Sequence, residues 1–168
     1  PGPVLIDITK DAQFEEIEFS YNYCNKIRSY HPLPKMDYSL IKNASKIINK
    51  SKKPLLLIGQ GIILSEAENE LLEFVNKSGI PVASTLLGLG SFPNNHPNYV
   101  GYLGMHGNYA PNIMTNECDV LIAIGMRFDD RVTGNTSKYA KQAKVIHIDI
   151  DKSELNKIIP AEVAIHAD

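Results

Sequence analysis

Val120-Leu121-Ile122-Ala123-Ile124 runs straight into Gly125-Met126-Arg127-Phe128-Asp129-Asp130-Arg131-Val132-Thr133-Gly134. A short apolar run bounded by glycine reads as a strand buried on both faces of a parallel sheet. Ligands of such sheets bind in the crevice beyond the carboxyl ends of the strands. Arg127, Asp129, Asp130 and Arg131 therefore land where a ligand would sit. Arginine presents a planar fork suited to phosphate and carboxylate. Aspartate accepts hydrogen bonds from hydroxyls such as those of ribose. The alternative is a surface loop whose Arg and Asp pair with each other, which is common and worth little.

The same alternation extends in both directions. Leu40, Ile41, Ala44, Ile47 and Ile48 recur at helical spacing behind Asp37, a natural N-cap. Leu55–Ile58 reads as a buried strand, followed by Gly59-Gln60-Gly61-Ile62. Ser65 and Glu68 have capping-box spacing ahead of a helix striped by Ala67, Leu71, Phe74 and Val75, with Gly79 as its stop. Ile80–Ala83 is the next strand, and Leu86-Leu87-Gly88-Leu89-Gly90 a glycine-rich loop. A helix is expected over Tyr109–Asn116 and another over Thr136–Gln142. Strands follow at Val145–Ile150 and Val163–Ile165, with a helical turn or two over Ser153–Ile158 between them. Strands alternating with helices mean an α/β fold, a doubly wound, Rossmann-like parallel sheet.

Residues 1–35 differ in character. Val4–Ile8 reads as a short strand, and the stretch from Gln13 to Lys35 as a connector punctuated by Pro32 and Pro34. A loop that long inside one compact domain is unusual. The expected division is 1–35, the end of a preceding domain plus linker, and 36–168, the regular α/β domain. A start at Pro1-Gly2-Pro3 without methionine marks the chain as an expected fragment of a longer protein.

Composition narrows the function classes. The formal net charge of −2 gives no reason to expect nucleic acid or an anionic membrane as partner. No apolar run approaches a membrane span, and no signal-peptide pattern opens the chain. Cys24 and Cys118 stand far apart, neither a disulfide framework nor a zinc site, so a reducing compartment is expected. A Gly-x-Ser-x-Gly elbow, a His-Glu-x-x-His helix and a Cys/His cluster are all missing. No catalytic or metal residues are assigned.

The loops after the strands are where chemistry could lie. Gly59-Gln60-Gly61 lets a backbone approach a ligand, but it lacks the third glycine of a dinucleotide fingerprint and the Gly-Lys-Ser/Thr of a P-loop. Ser84-Thr85-Leu86 offers a hydroxyl and backbone groups, or else a polar strand cap. Gly101-Tyr102-Leu103-Gly104-Met105-His106-Gly107 carries a polarizable sulfur and an imidazole, though a lone His is more often a structural hydrogen-bonder. His147-Ile148-Asp149-Ile150-Asp151 ends a strand with acids, suited to ribose hydroxyls or to capping a following helix.

Together these loops resemble the acetolactate synthase (acetohydroxyacid synthase) family of thiamine-diphosphate-dependent enzymes, in the central domain of its large catalytic subunit. The resemblance covers nearly the whole chain. It is carried by Pro1-Gly2-Pro3-Val4 through Lys10-Asp11, Gly59-Gln60-Gly61, Thr85 through Pro93, Gly104-Met105-His106-Gly107, Arg127-Phe128-Asp129-Asp130-Arg131-Val132-Thr133-Gly134 and His147 through Asp151.

The resemblance implies that the domain binds FAD, which takes no net redox part, while other domains of the parent bind thiamine diphosphate and Mg2+. The implied reaction condenses pyruvate with a second 2-keto acid, on the way to the branched-chain amino acids. Gly59, Gln60, Gly61 and Ile62 would lie along the diphosphate and ribityl of FAD. Thr85, Leu86, Met105 and His106 would meet the flavin, and Gly125, Arg127, Asp129, Arg131 and Val132 the same cofactor. Asp149, Ile150 and Glu154 would serve the adenosine end, with Ala167 and Asp168 near the adenine. Arg131, Met105, Lys10 and Asp130 would line the substrate channel, Arg131 facing the carboxylate of the second keto acid. The implied partners are the other domains of the subunit, a homodimer or tetramer, and a regulatory small subunit. The implied location is cytoplasmic, or a plastid or mitochondrion in a eukaryote.

The chain departs from the family pattern at Thr9, where proline is usual, and at Gln60, where a small residue is usual. The Gly-Asp-Gly…Asn motif that holds metal and diphosphate is missing, since no Gly-Asp pair occurs in the chain. The chain alone is therefore expected to be inactive. The alternatives are a stand-alone nucleotide-binding module, or the central domain of another FAD-holding relative such as glyoxylate carboligase.

Overall fold

The computed structural model describes residues 3–24 and 33–168. The chain divides into two units, Pro1–His31 and Pro32–Asp168. In the first unit the described residues hold one turn, over 10–14, and neither strand nor helix. The expected strand over Val4–Ile8 does not form. Val4, Leu5, Ile6 and Ile8 are exposed, and strand-forming residues without a ladder to join leave their backbone to water. Pro1, Gly2 and residues 25–32 of the expected connector, Pro32 among them, lie outside the described residues.

The second unit is the α/β domain. Helix α1 (Tyr38–Ile48) starts at Asp37, whose carboxylate accepts the Ser39 N–H at 2.9 Å. Strand β1 (Pro54–Ile58) follows, then α2 (Gly61–Leu64), α3 (Glu68–Ser78) and β2 (Val82–Ser84). A 3-10 turn (Leu86–Gly88), β3 (Tyr99–Tyr102), α4 (Tyr109–Glu117) and β4 (Val120–Ile124) come next. The chain ends with α5 (Asp130–Thr133), β5 (Lys144–Asp149) and β6 (Val163–His166). These strands form a single parallel sheet in the order β3-β2-β1-β4-β5-β6. That is the strand order of doubly wound dinucleotide-binding folds.

Register explains the core. Val82, Leu56, Ile122, Ile146 and Val163 lie side by side across the sheet. All are buried, on the face covered by Ile47 of α1 and by Leu71 and Val75 of α3. On the opposite face Leu55, Leu57, Leu121 and Val145 pack with Leu103, Met126, Phe128, Tyr139 and Met114 of α4. A sheet buried on both sides needs strands that are apolar throughout, and β1 and β4 are.

Several local expectations give way to neighbouring contacts. Ser65 does not cap α3. Its hydroxyl donates to the Gly61 carbonyl at 2.7 Å, which closes α2, and α3 starts behind Ala67 without a side-chain cap. Residues 136–142 form turns rather than a helix: the Asn135 side chain caps Ser137, and Ala140 has φ 44°. A short helix forms earlier instead, as α5. Residues 153–158 are likewise turns, with Asn156 at φ 61°. The edge strand β3 was not expected within the glycine-rich stretch. Gly79, at φ 67°, ends α3 as its composition suggests. Among the described residues no helix is long and apolar enough to cross a membrane, and no His/Cys/Asp/Glu cluster could hold a metal ion.

Cys118 closes α4 on the buried side, its thiol donating to the Thr115 carbonyl at 3.3 Å. Burial pushes this thiol up to about 11, from an ordinary value of about 8.5. The unfolded chain therefore loses the proton first as pH rises. The linked stability is complete below about pH 8.5 and is lost as pH climbs through about 11. Burial also raises the Tyr139 hydroxyl, which extends the loss to higher pH. The thermal midpoint should fall between about pH 9 and about pH 11, and fall less in Cys118→Ala. An equal fall in that variant would contradict the assignment to this thiol.

Candidate functional site

At the centre of the sheet the chain turns to one side after β1 and to the other after β4. The two turns meet backbone to backbone. Gly125 has φ 59° and donates its N–H to the Ile148 carbonyl at 2.9 Å. The Gly61 N–H donates to the Gly125 carbonyl at 2.9 Å, and the Gly59 N–H to Ile124 at 3.0 Å. A Cβ on Gly61 would sit 2.5 Å from the Gly125 Cα, and one on Gly59 would overlap the Gly125 carbonyl and the Met126 side chain. The glycines thus serve tertiary contact, whatever lies above them.

Above this contact lies a cleft of about 780 Å³ at the carboxyl ends of the strands. It is large enough for a small-molecule cofactor. Its lining is mainly apolar, from Ile62, Leu86, Val132 and Ile150 among others, with Arg127, Asp129, Arg131, Asp149 and Asp168 as its charges. Gln60, Gly61, Thr85, Gly125 and Ala167 also line it, so most of the residues expected from sequence share one cavity.

The remainder fall elsewhere. Gly59 lies under the floor, against Gly125. Met105 and His106 are exposed and do not line the cleft. Met105 is tied to it indirectly: its N–H donates to the Arg131 carbonyl at 2.8 Å, and its sulfur lies 4.0 Å from the Arg131 guanidinium. The His106 carbonyl accepts the Tyr102 hydroxyl at 2.6 Å. Asp130 opens α5 from the solvent side. Glu154 pairs with Lys157 at 2.7 Å, outside the cleft. Lys10 belongs to the first unit, in its turn. Leu64, Ser65, Ala67, Leu87, Ile124, Met126 and Ile148 line the cleft without having been expected. Ile124 and Ile148 could have been found, being register partners at the ends of adjacent strands.

The polar groups divide between local structure and open space. Asp129 accepts the Val132 N–H at 3.2 Å as the cap of α5, and its other oxygen pairs with Arg127 at 3.8 Å. Both partners of that pair are solvent-accessible, so it contributes little. The Thr85 hydroxyl accepts the Gly88 N–H at 3.2 Å. Asp149 is almost buried and accepts the Asp151 N–H at 2.8 Å through one oxygen. Asp151 caps Ser153, whose hydroxyl holds the Asp151 carboxyl below its usual range. Arg131 has no acidic partner among the described residues, so its fork is available to a carboxylate or phosphate.

Residues 41–168 match the family described as thiamine pyrophosphate enzyme, central domain. The chain belongs to that family. It is 41% identical over 167 residues to the acetolactate synthase large subunit of Haemophilus influenzae, covering 98% of this chain. It is 44% identical to that of Corynebacterium glutamicum over the whole chain, and 46% identical to a probable one from Methanocaldococcus jannaschii. The chain spans 29%, 27% and 29% of the lengths of these relatives. In this central domain of a thiamine pyrophosphate enzyme, the cleft lies at the switch point of the sheet, where the fold class places its ligands.

The glycine contact makes a direct prediction. Gly59→Ala should destabilise the domain by about 1–3 kcal/mol in urea unfolding, because a methyl group must displace backbone rather than a flexible side chain. Unchanged stability would show that the two turns can part without cost.

Proposed function

We propose that the chain is the FAD-binding central domain of an acetolactate synthase large subunit. The parent would condense pyruvate with a second 2-keto acid in branched-chain amino acid biosynthesis. Residues 36–168 would form the domain, and residues 1–35 the end of a preceding domain with its linker. The observation that carries the reading is the cleft over the Gly59-Gly61-Gly125 contact, in a chain 41% to 46% identical to enzymes of that name. Those names favour acetolactate synthase over glyoxylate carboligase and over a stand-alone nucleotide-binding module.

The residues present fit FAD. The cleft is lined from the ends of β1, β4 and β5 and is mainly apolar, as a flavin and an adenine require. Gln60, Gly61 and Ile62 would follow its diphosphate and ribityl, with Gly125, Arg127, Asp129, Arg131 and Val132 opposite. Thr85 and Leu86 would meet the flavin, and Asp149, Ile150, Ala167 and Asp168 the adenosine. Asp149 suits ribose because one of its oxygens is not engaged by backbone. FAD would supply no net redox step here. Met105, His106, Glu154 and Lys10 keep the roles implied by the resemblance only if neighbouring domains bring them into place.

Thiamine diphosphate and Mg2+ would be bound by other domains of the parent and supply the carbanion chemistry there. This chain has no Gly-Asp pair with which to hold them. Its contribution would be to bind FAD and to present Arg131, Met105 and Asp130 to the substrate channel. Alone it would make no acetolactate. The parent would be a homodimer or tetramer, with a regulatory small subunit, in the cytoplasm or in a plastid or mitochondrion.

Flavin fluorescence titration of this chain should show saturable quenching that ADP competes away. Arg127→Ala combined with Asp149→Ala should weaken it at least about tenfold, equal to about 1.4 kcal/mol. Equal affinity in that variant would overturn the assigned cleft. In the full-length parent, Arg131→Ala should impair coupling to the second keto acid far more than pyruvate decarboxylation. The loss of one desolvated charge pair costs about 2–5 kcal/mol. Equal loss of both steps would assign Arg131 to FAD or to structure instead.

A further inference from the structure

His147 is the fully buried imidazole of the domain, and its position in the sheet was prepared on both sides. Its register partners are Ala123 on β4 and Ala164 on β6. Small side chains on both neighbouring strands leave room on that face for a ring. The ring stands edge-on to Phe128, centroids 5.0 Å apart, and its Nε2 lies 2.9 Å from the Met126 carbonyl. A carbonyl can only accept, so Nε2 carries the proton. Nδ1 has no hydrogen-bond partner among the described residues. One hydrogen bond is therefore the ring's whole polar contribution, and it goes to the crest of the loop after β4.

That crest is threaded in a particular way. Met126 and Phe128 are buried, while Arg127 between them points out with 63% of its side chain accessible. Gly125, Met126 and Arg127 all line the cleft. Asp149, two residues along the strand from His147, brings a carboxylate oxygen to 3.9 Å from the same Nε2. His147 thus stands beneath both the crest that carries Arg127 and the acid at the end of β5, without reaching the cleft itself.

We infer that His147 is a positioning residue, which through its Nε2–H bond to the Met126 carbonyl sets the height of the 125–127 crest and so the placement of Arg127 in the cleft. The inference rests on the proposed FAD site for its functional readout but stands on ligand-free geometry. Removing the donor leaves the Met126 carbonyl buried without a partner, so the crest must shift to find water. The effect on binding should then pass through Arg127.

The test compares His147→Gln, whose side-chain N–H can occupy the place of Nε2, with His147→Leu, which cannot donate. FAD affinity should stay within about twofold in His147→Gln and fall about tenfold in His147→Leu. In an Arg127→Ala background the same His147→Leu change should have almost no further effect, since residues acting as a unit are non-additive. An equal fall in both backgrounds, or none in either, would overturn the inference. If the unaltered chain fails to bind FAD, the proposed function is what fails. Amide hydrogen exchange without ligand then decides this inference. Residues 125–128 should exchange faster in His147→Leu than in His147→Gln while β1 stays protected, and equal exchange would overturn it.

Discussion

The Gly61–Gly125 backbone contact governs this domain. Strands β1 and β4 are neighbours whose chains depart in opposite directions, and a crevice opens between the departing turns. Side chains there would fill it or push the turns apart. With Gly59, Gly61 and Gly125 the turns instead close upon each other, by hydrogen bonds of 2.9 Å and 3.0 Å, and form a floor. The cleft's walls then come from whatever follows each strand: α2 and Thr85 on one side, the 125–132 loop and the ends of β5 and β6 on the other. A hydrophobic sheet thereby presents an open edge, to which the core residues Ile62, Met126 and Ala167 also contribute.

Charge is distributed sparingly over this edge. Arg127 and Asp129 lean on each other, and Asp129 is half committed to capping α5. Arg131 is the cation left without an acidic partner among the described residues. Asp149 is the acid most withdrawn from solvent, held by the Asp151 N–H, with the His147 ring 3.9 Å away. The arrangement suits a ligand that is mostly flat and apolar, with anionic and hydroxyl groups at separate points.

Much of this was legible in the sequence because it depends on patterns within one contiguous segment. The apolar run Val120–Ile124 forms the strand expected of it, residue for residue, and Asp37 and Gly79 bound their helices as their chemistry requires. Other elements depend on which of two neighbours claims a single group. The Ser65 hydroxyl went to the helix behind it rather than the one ahead, and Asn135 capped a turn where a helix was expected. Val4–Ile8 has strand chemistry without a strand, because a ladder is a property of two segments. Among the candidate site residues, those at strand exits share the cleft, apart from Gly59 beneath its floor. Met105, His106 and Glu154 sit on later turns, whose direction no periodicity reveals. His147 was visible only as part of an acidic strand end. Its alanine neighbours belong to distant segments and come into line only through register.

The edge over the glycine floor is proposed to hold a dinucleotide. Amide hydrogen exchange of this chain, with and without FAD, tests it most directly. Added protection should be confined to residues 59–64, 85–87, 124–132, 148–150 and 167–168, at the strand exits. The cavity at the opposite edge of the sheet, around Lys52, Lys53 and Cys118, should remain unchanged. Protection at that opposite edge, or none at the strand exits under saturating FAD, would contradict it.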